Sequence, residues 1–134
     1  MQQNKTVVRR WMDAGNDREF GRFDELFTAD TVDHVSGNTG IAWWKEVFGW
    51  IGASFPDWQW TGSVMIAEDD LVMVKADLTG SHQGSRLPFL SGIEPTGIPI
   101  VWRHFHLFRL ENELIAEHWA SRDDLGVLRQ LGAR

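Results

Sequence analysis

Apolar residues recur at helical spacing through Val7, Val8, Trp11 and Met12, and again through Phe20, Phe23, Leu26 and Phe27, with Gly15–Asn16–Asp17 between the two runs. Steps of three and four place each set on one side of a helix. Ile41, Trp44, Val47, Phe48, Ile51 and Phe55 give a third apolar face, which Pro56 ends because it lacks the N–H a helix interior needs. Between the second and third helices, Thr31–Val32–Asp33–His34–Val35 reads as a short strand stopped by the turn-prone Ser36–Gly37–Asn38. Beyond Pro56 the period falls to two. Trp58, Trp60, Gly62, Val64 and Ile66 alternate with Gln59, Thr61, Ser63 and Met65, and after a turn at Glu68–Asp69–Asp70 a second strand carries Val72, Val74, Ala76 and Leu78 on one side as far as His82. A Gly/Pro/Ser-rich connection runs from Gln83 to about Pro99. A third long strand, Ile100 to Leu110, turns at Glu111–Asn112–Glu113 and pairs with Leu114 to Ser121 as a hairpin, and Leu125 to Leu131 close the chain as a helix. Three helices, a meander of long strands and a terminal helix predict an α+β fold in which a curved sheet wraps around helices.

Composition narrows the function. The 134 residues hold no internal repeat, low-complexity tract or linker, so residues 1–134 are expected to form one domain. Thirteen Lys and Arg against nineteen Asp and Glu leave a net charge of −6 and no basic run, which argues against nucleic acid as a partner. The absence of Cys excludes disulfides, thiolate metal sites and cysteine nucleophiles. The opening residues, MQQNKTVVRRW, lack the basic start and apolar run of an export signal, and no stretch has the length of a membrane span, so a cytoplasmic location with no membrane partner is expected. Eight Trp and eight Phe supply all the aromatic surface. Most of these pack the core, yet Trp is also suited to walling a pocket for a flat organic ligand.

Strand parity puts Trp102, His104, His106 and Phe108 on one face, so that two imidazoles stand among aromatics, where a His can give or take a proton. On the hairpin partner, Trp119, Ser121 and Asp123 share one face and His118 and Arg122 the other. Asp123 is expected beside an apolar wall, where burial raises a carboxylate pKa and a nearby His or Arg lowers it, leaving the adjacent Asp124 to cap the last helix. His34 is expected to point into a cavity under the third helix, and His82 to sit at a solvated strand end. His104, His106 and Glu111 resemble the first metal-binding motif of cupins, but the following Gly, the second motif and the all-β order are missing; no metal is expected.

Longer stretches carry a more specific likeness: Phe55–Pro56–Asp57–Trp58, Leu78 to Gly84 (LTGSHQG), Pro95–Thr96–Gly97, and Ile115 to Trp119 (IAEHW) running into Arg122 to Gly132 (RDDLGVLRQLG). Through them nearly the whole chain resembles the SnoaL-like polyketide cyclases, or ester cyclases, of the nuclear-transport-factor-2-like superfamily. The resemblance implies a cone-shaped α+β barrel in which N-terminal helices and a strongly curved antiparallel sheet enclose one deep apolar pocket. It implies intramolecular aldol closure of a polyketide-like carbonyl substrate without metal or cofactor. An Asp near the end of the last strand would act as general acid/base, which by its place in the motif is Asp123, with His106 as partner on the neighbouring strand. Trp44, Trp58, Trp60, Trp102 and Trp119, with His34 and His104, would line the substrate pocket. Residues 85–99 would form a lid or a subunit contact, and a homodimer through the outer sheet face is expected. The same scaffold hosts dehydratases, isomerases and hydrolases, and a cone without a working acid/base pair would only bind a small molecule.

Overall fold

Residues 2–132 are described by the computed structural model. Val7, Val8, Trp11, Met12 and Ala14 form the buried face of helix α1 (Gln2–Asn16), and Gly15 continues it because a Cβ there would lie 2.8 Å from the Trp58 ring. The second apolar run is a six-residue 3-10 helix, Phe20–Glu25, and not a full α-helix. Its apolar pair is three residues apart, the spacing that eclipses side chains on a 3-10 helix, and the Phe20 and Phe23 rings sit 5.6 Å apart. Phe27 leaves it to begin strand β1 (Phe27–Asp33). Helix α2 (Ile41–Ser54) buries Trp44, Phe48 and Ile51.

Four long strands follow α2's end: β2 (Gln59–Glu68), β3 (Leu71–Ser81), β4 (Pro99–Glu111) and β5 (Leu114–Arg122), with helix α3 (Asp124–Gln130) after them. The sheet order is β1-β5-β4-β3-β2. β2 to β5 are antiparallel as expected, but β1 joins the edge parallel to β5, so the curved sheet is mixed and stays open between β1 and β2. The helices cover its inner face, where Trp11 of α1 meets Trp60, His106 and Phe108 edge-on or tilted. No helix among the described residues is long and apolar enough to cross a membrane.

One expected strand face is broken. Gly62, at φ 58°, is an extra residue between the pairs Thr61–Asp77 and Ser63–Ala76. This bulge reverses the parity of β2, so Trp58 and Trp60 are buried while Val64 and Ile66 are 60% and 65% exposed. With Val101, Phe105 and Trp119 they leave apolar groups on the outer sheet surface.

The connection from β3 to β4 is pinned, and its anchor is His82, which is fully buried rather than solvated. Its Nδ1 accepts from the Thr96 backbone N–H at 3.2 Å, so the proton is on Nε2, which donates to Ser85 Oγ at 3.0 Å; that hydroxyl in turn donates to the Ile93 carbonyl. Two of the motifs that carry the family likeness, LTGSHQG and PTG, are therefore in direct contact. From the other side, buried Ser54 Oγ accepts from the N–H groups of Arg86 and Leu87, each at 3.1 Å, and ties the connection to the end of α2. Gly84 is required by this approach, since a Cβ would stand 2.3 Å from the Ala53 carbonyl oxygen. Gly84→Ala should destabilise the fold by about 1–3 kcal/mol, read as a lower urea midpoint; an unchanged midpoint would mean that the connection is free to move away from α2.

Candidate active site

Between α2, the pinned connection and the far ends of β4 and β5 lies a cavity of about 300 Å³. Its walls are Trp43, Trp44, Val47, Trp50 and Ile51 from α2, Leu87, Pro88 and Phe89 from the connection, and Trp102 from β4. Against this apolar lining stand four polar side chains: Asp33, Ser36, Arg122 and Asp124. Few polar groups in an apolar concavity is the usual composition of a small-molecule site.

Asp33 and His118 come together because β1 and β5 run side by side with these two residues in register. His118 Nδ1 donates to Asp33 Oδ1 at 2.9 Å. From there a row of imidazoles extends along the inner face: His106 Nδ1 to His118 Nε2 at 2.7 Å, and His104 Nδ1 to His106 Nε2 at 3.0 Å. With Asp33 as an acceptor, each neutral ring must carry its proton on Nδ1, so the free lone pair emerges at His104 Nε2, which is buried without a partner. Burial opposes charge on Asp33, but hydrogen bonds from His118, Ser36 Oγ and Trp43 Nε1 outweigh it and hold the carboxyl well below its ordinary range. Burial pushes His118 down to about 4 against the pull of Asp33, and burial lowers both His104 and His106 well below the ordinary imidazole value, helped by the Arg122 charge at His104 and by the neighbouring imidazoles at His106.

The positions expected for the two acids at the end of β5 are exchanged. Asp123 is exposed and caps α3, accepting from the Gly126 N–H at 2.9 Å. Asp124, expected as the cap, lines the cavity, and its Oδ1 accepts from Trp102 Nε1 at 2.9 Å. Burial raises the Asp124 pKa against the lowering effects of Trp102 and Arg122. The exchange follows from β5, whose inward face is the His118 and Arg122 parity, leaving Trp119 and Asp123 outside.

Of the other expected site residues, Trp44 and Trp102 line the cavity. Trp58 and Trp60 do not: they are core side chains packed on Phe48 and Trp11. Trp119 lies on the outer surface, stacked with His34 at 4.7 Å. His34 also faces outward, bonded to Glu117 at 2.8 Å, because its neighbour Asp33 takes the inward parity. His104 and His106 are buried in the imidazole row and behind the cavity wall, 1% exposed each. Glu111 pairs with Arg109 at the hairpin end, so the cupin-like spacing does not converge on one point. Residues 85–99 contribute a wall through Leu87, Pro88 and Phe89. Asp33, Ser36, Trp50, Arg122 and His118 were not expected as site residues; the period of β5 gave His118 and Arg122 a common face but not that this face is the inward one.

Folding keeps three imidazoles neutral, whereas the unfolded chain protonates them near 6.5, so the unfolded state binds more protons on the acid side. Stability is therefore full above the unfolded value and falls with pH from about 6.5 towards His118's folded value of about 4, with Asp33 adding a loss below 3.8. Each proton taken up on unfolding costs about 1.4 kcal/mol per pH unit. Urea midpoints should drop steeply between pH 7 and pH 5; a flat profile would show that the row is not held neutral.

Comparison with known proteins places this architecture. The family model described as SnoaL-like polyketide cyclase matches residues 5–131. Among solved structures, IdmH of Streptomyces antibioticus, a polyketide cyclase candidate, is 26% identical with a TM-score of 0.84, over 98% of this chain and 99% of that one. AclR of Streptomyces galilaeus, a hydroxylase candidate, is 24% identical with a TM-score of 0.85, over 98% and 82%. TsrD of Streptomyces laurentii shares the fold at 21% identity, with a TM-score of 0.87 over 100% and 98%. No curated protein matches the sequence. With its helices on a curved α+β sheet, an apolar cavity at one end and a family match over nearly its full length, the chain belongs to the SnoaL-like polyketide cyclase family, whose function is of the cyclase type.

Proposed function

We propose that the protein closes a ring in a polyketide-like carbonyl compound by intramolecular aldol addition, with Asp124 as the general acid/base. The observation that carries this reading is the Asp124 carboxylate. One oxygen is fixed by the Trp102 indole N–H, the other accepts no side-chain hydrogen bond among the described residues, and burial in an apolar cavity raises its pKa towards that of the carbon acid it would deprotonate. In the reaction Asp124 takes a proton from a methylene flanked by carbonyls. The enolate carbon then forms a bond to an internal carbonyl carbon, and the alkoxide so produced recovers the proton from Asp124. Proton and charge balance within substrate and one carboxyl group. Asp33 is unsuited to this role, because both its oxygens are occupied and its pKa is depressed.

In this reading His106 is a positioning residue. It holds His118, which orients Asp33, and through the Trp43 bond to Asp33 the row fixes the first turn of α2 against the cavity. The exposed face bearing Val64, Ile66, Val101 and Phe105 would be where two copies meet, and a dimer in sedimentation at micromolar concentration is the expected result.

Asp124→Asn keeps an acceptor for Trp102 but no base. It should slow deuterium exchange at the methylene of a 1,3-dicarbonyl compound, and ring closure, by about 10²–10⁴-fold with little change in melting temperature. Full activity in this variant would remove Asp124 from the chemistry, whereas binding without any turnover in the unaltered protein would leave a small-molecule binding function. Asp123→Ala should do the reverse, costing about 1 kcal/mol of stability through the lost cap while leaving turnover intact; a loss of turnover there would restore Asp123 as the acid/base.

A further inference from the structure

Arg122 projects from the inward face of β5 into the cavity between two carboxylates, yet it pairs with neither. Asp33 is satisfied four times over: Oδ1 accepts from His118 Nδ1 and the Val35 N–H, and Oδ2 accepts from Ser36 Oγ and Trp43 Nε1. Asp124 is engaged by Trp102 Nε1. Among the described residues Arg122 makes no side-chain hydrogen bond and no ion pair, and three of the four carboxylate oxygens that flank it are already engaged by other donors. Its nitrogens are not among the sealed polar atoms that lack a partner in the core, such as His104 Nε2 and Trp44 Nε1, so its donors open on the cavity. A half-buried guanidinium facing an apolar cavity with its fork of donors unspent is costly unless an anion completes it.

The geometry points to Arg122 as the seat of a ligand carboxylate: the compound that fills this cavity is a flat apolar acid, its carboxylate on the Arg122 guanidinium and its body between Trp43, Trp50, Phe89 and Trp102. A planar monoanion suits the site for three reasons. The guanidinium offers two parallel N–H donors that match the two oxygens of a carboxylate. The flanking Asp33 and Asp124 disfavour a dianion such as a phosphate ester by like-charge repulsion. The indole and phenyl walls give an aromatic or polyene body the larger part of its contact area. This assignment rests on the cavity being the substrate site and refines the proposed reaction by requiring a free acid, where an ester would leave Arg122 unpaired.

The test compares 2-naphthoate, neutral 2-naphthamide and 2-naphthyl phosphate by calorimetry, with shifts of the Trp indole N–H signals reporting where each binds. The wild-type protein should bind 2-naphthoate at least tenfold more tightly than the amide or the phosphate. Arg122→Gln should erase that preference, and Arg122→Lys should keep part of it, as a point charge without the planar fork. Melting temperatures identify any variant that fails to fold, and raising the salt concentration on the wild-type protein should weaken naphthoate without weakening the amide. Equal affinity for acid and amide, binding of neither, or a preference that survives in folded Arg122→Gln would overturn the assignment. Because none of these readings involves turnover, they separate from the fate of Asp124: a carboxylate preference with no loss of activity in Asp124→Asn would keep the anion seat and discard the acid/base step, and the opposite pair of results would do the reverse.

Discussion

The buried bond between His118 Nδ1 and Asp33 Oδ1 joins the first strand of the sheet to the last. It lies where β1 adds in parallel to the edge of an otherwise antiparallel sheet, with only a few backbone pairs on either side of an irregular register. A carboxylate taken this far from water must be surrounded by donors. Asp33 finds them on three elements: the imidazole of β5, the indole of Trp43 on α2, and the turn residues Val35 and Ser36 that follow it. The same carboxylate therefore sets the edge strand, the start of the helix over the cavity and the tautomers of all three buried imidazoles.

The tryptophans divide into two functions that composition does not distinguish. Trp11, Trp58 and Trp60 form a packed layer between α1 and the sheet, with edge-on contacts that suit aromatic quadrupoles. Their indole N–H groups have no hydrogen-bond partner among the described residues. Trp43 and Trp102 instead spend their N–H groups on the two cavity carboxylates, so that each combines an apolar wall with a fixed donor. The cavity is shaped by the second group and supported by the first.

The α+β order was legible because the chain alternates cleanly between periods of three to four and periods of two, and the family likeness because four motifs stand intact along it. The face of β4 carrying Trp102, His104, His106 and Phe108 could be read directly from parity. What parity could not supply was its sign and its interruptions. A positive-φ glycine in β2 reversed two strand faces halfway along, and Gly62 looks in sequence like any other small residue. At Asp33–His34 and at Asp123–Asp124 a single step decides which of two chemically plausible neighbours points inward, and that step is set by pairing with a partner strand distant in sequence. The parallel attachment of β1 was equally hidden, since nothing local to Thr31–Val35 says which edge it will join. His82 was read as solvated because its partners, Ser85 and Thr96, only meet it once the connection folds back.

The bond that orders the cavity spans 85 residues of sequence. Bringing two such distant points together costs chain entropy before any contact repays it, and topologies that depend on such pairings fold more slowly than those built from local contacts. The β2–β3 and β4–β5 hairpins can form from neighbours, but the edge strand cannot dock until β5 is already in place to receive it. The chemistry of the site is thus tied to a long-range closure of the chain: without it there is no oriented carboxylate, no fixed imidazole tautomer and no anchor for the first turn of the helix over the cavity.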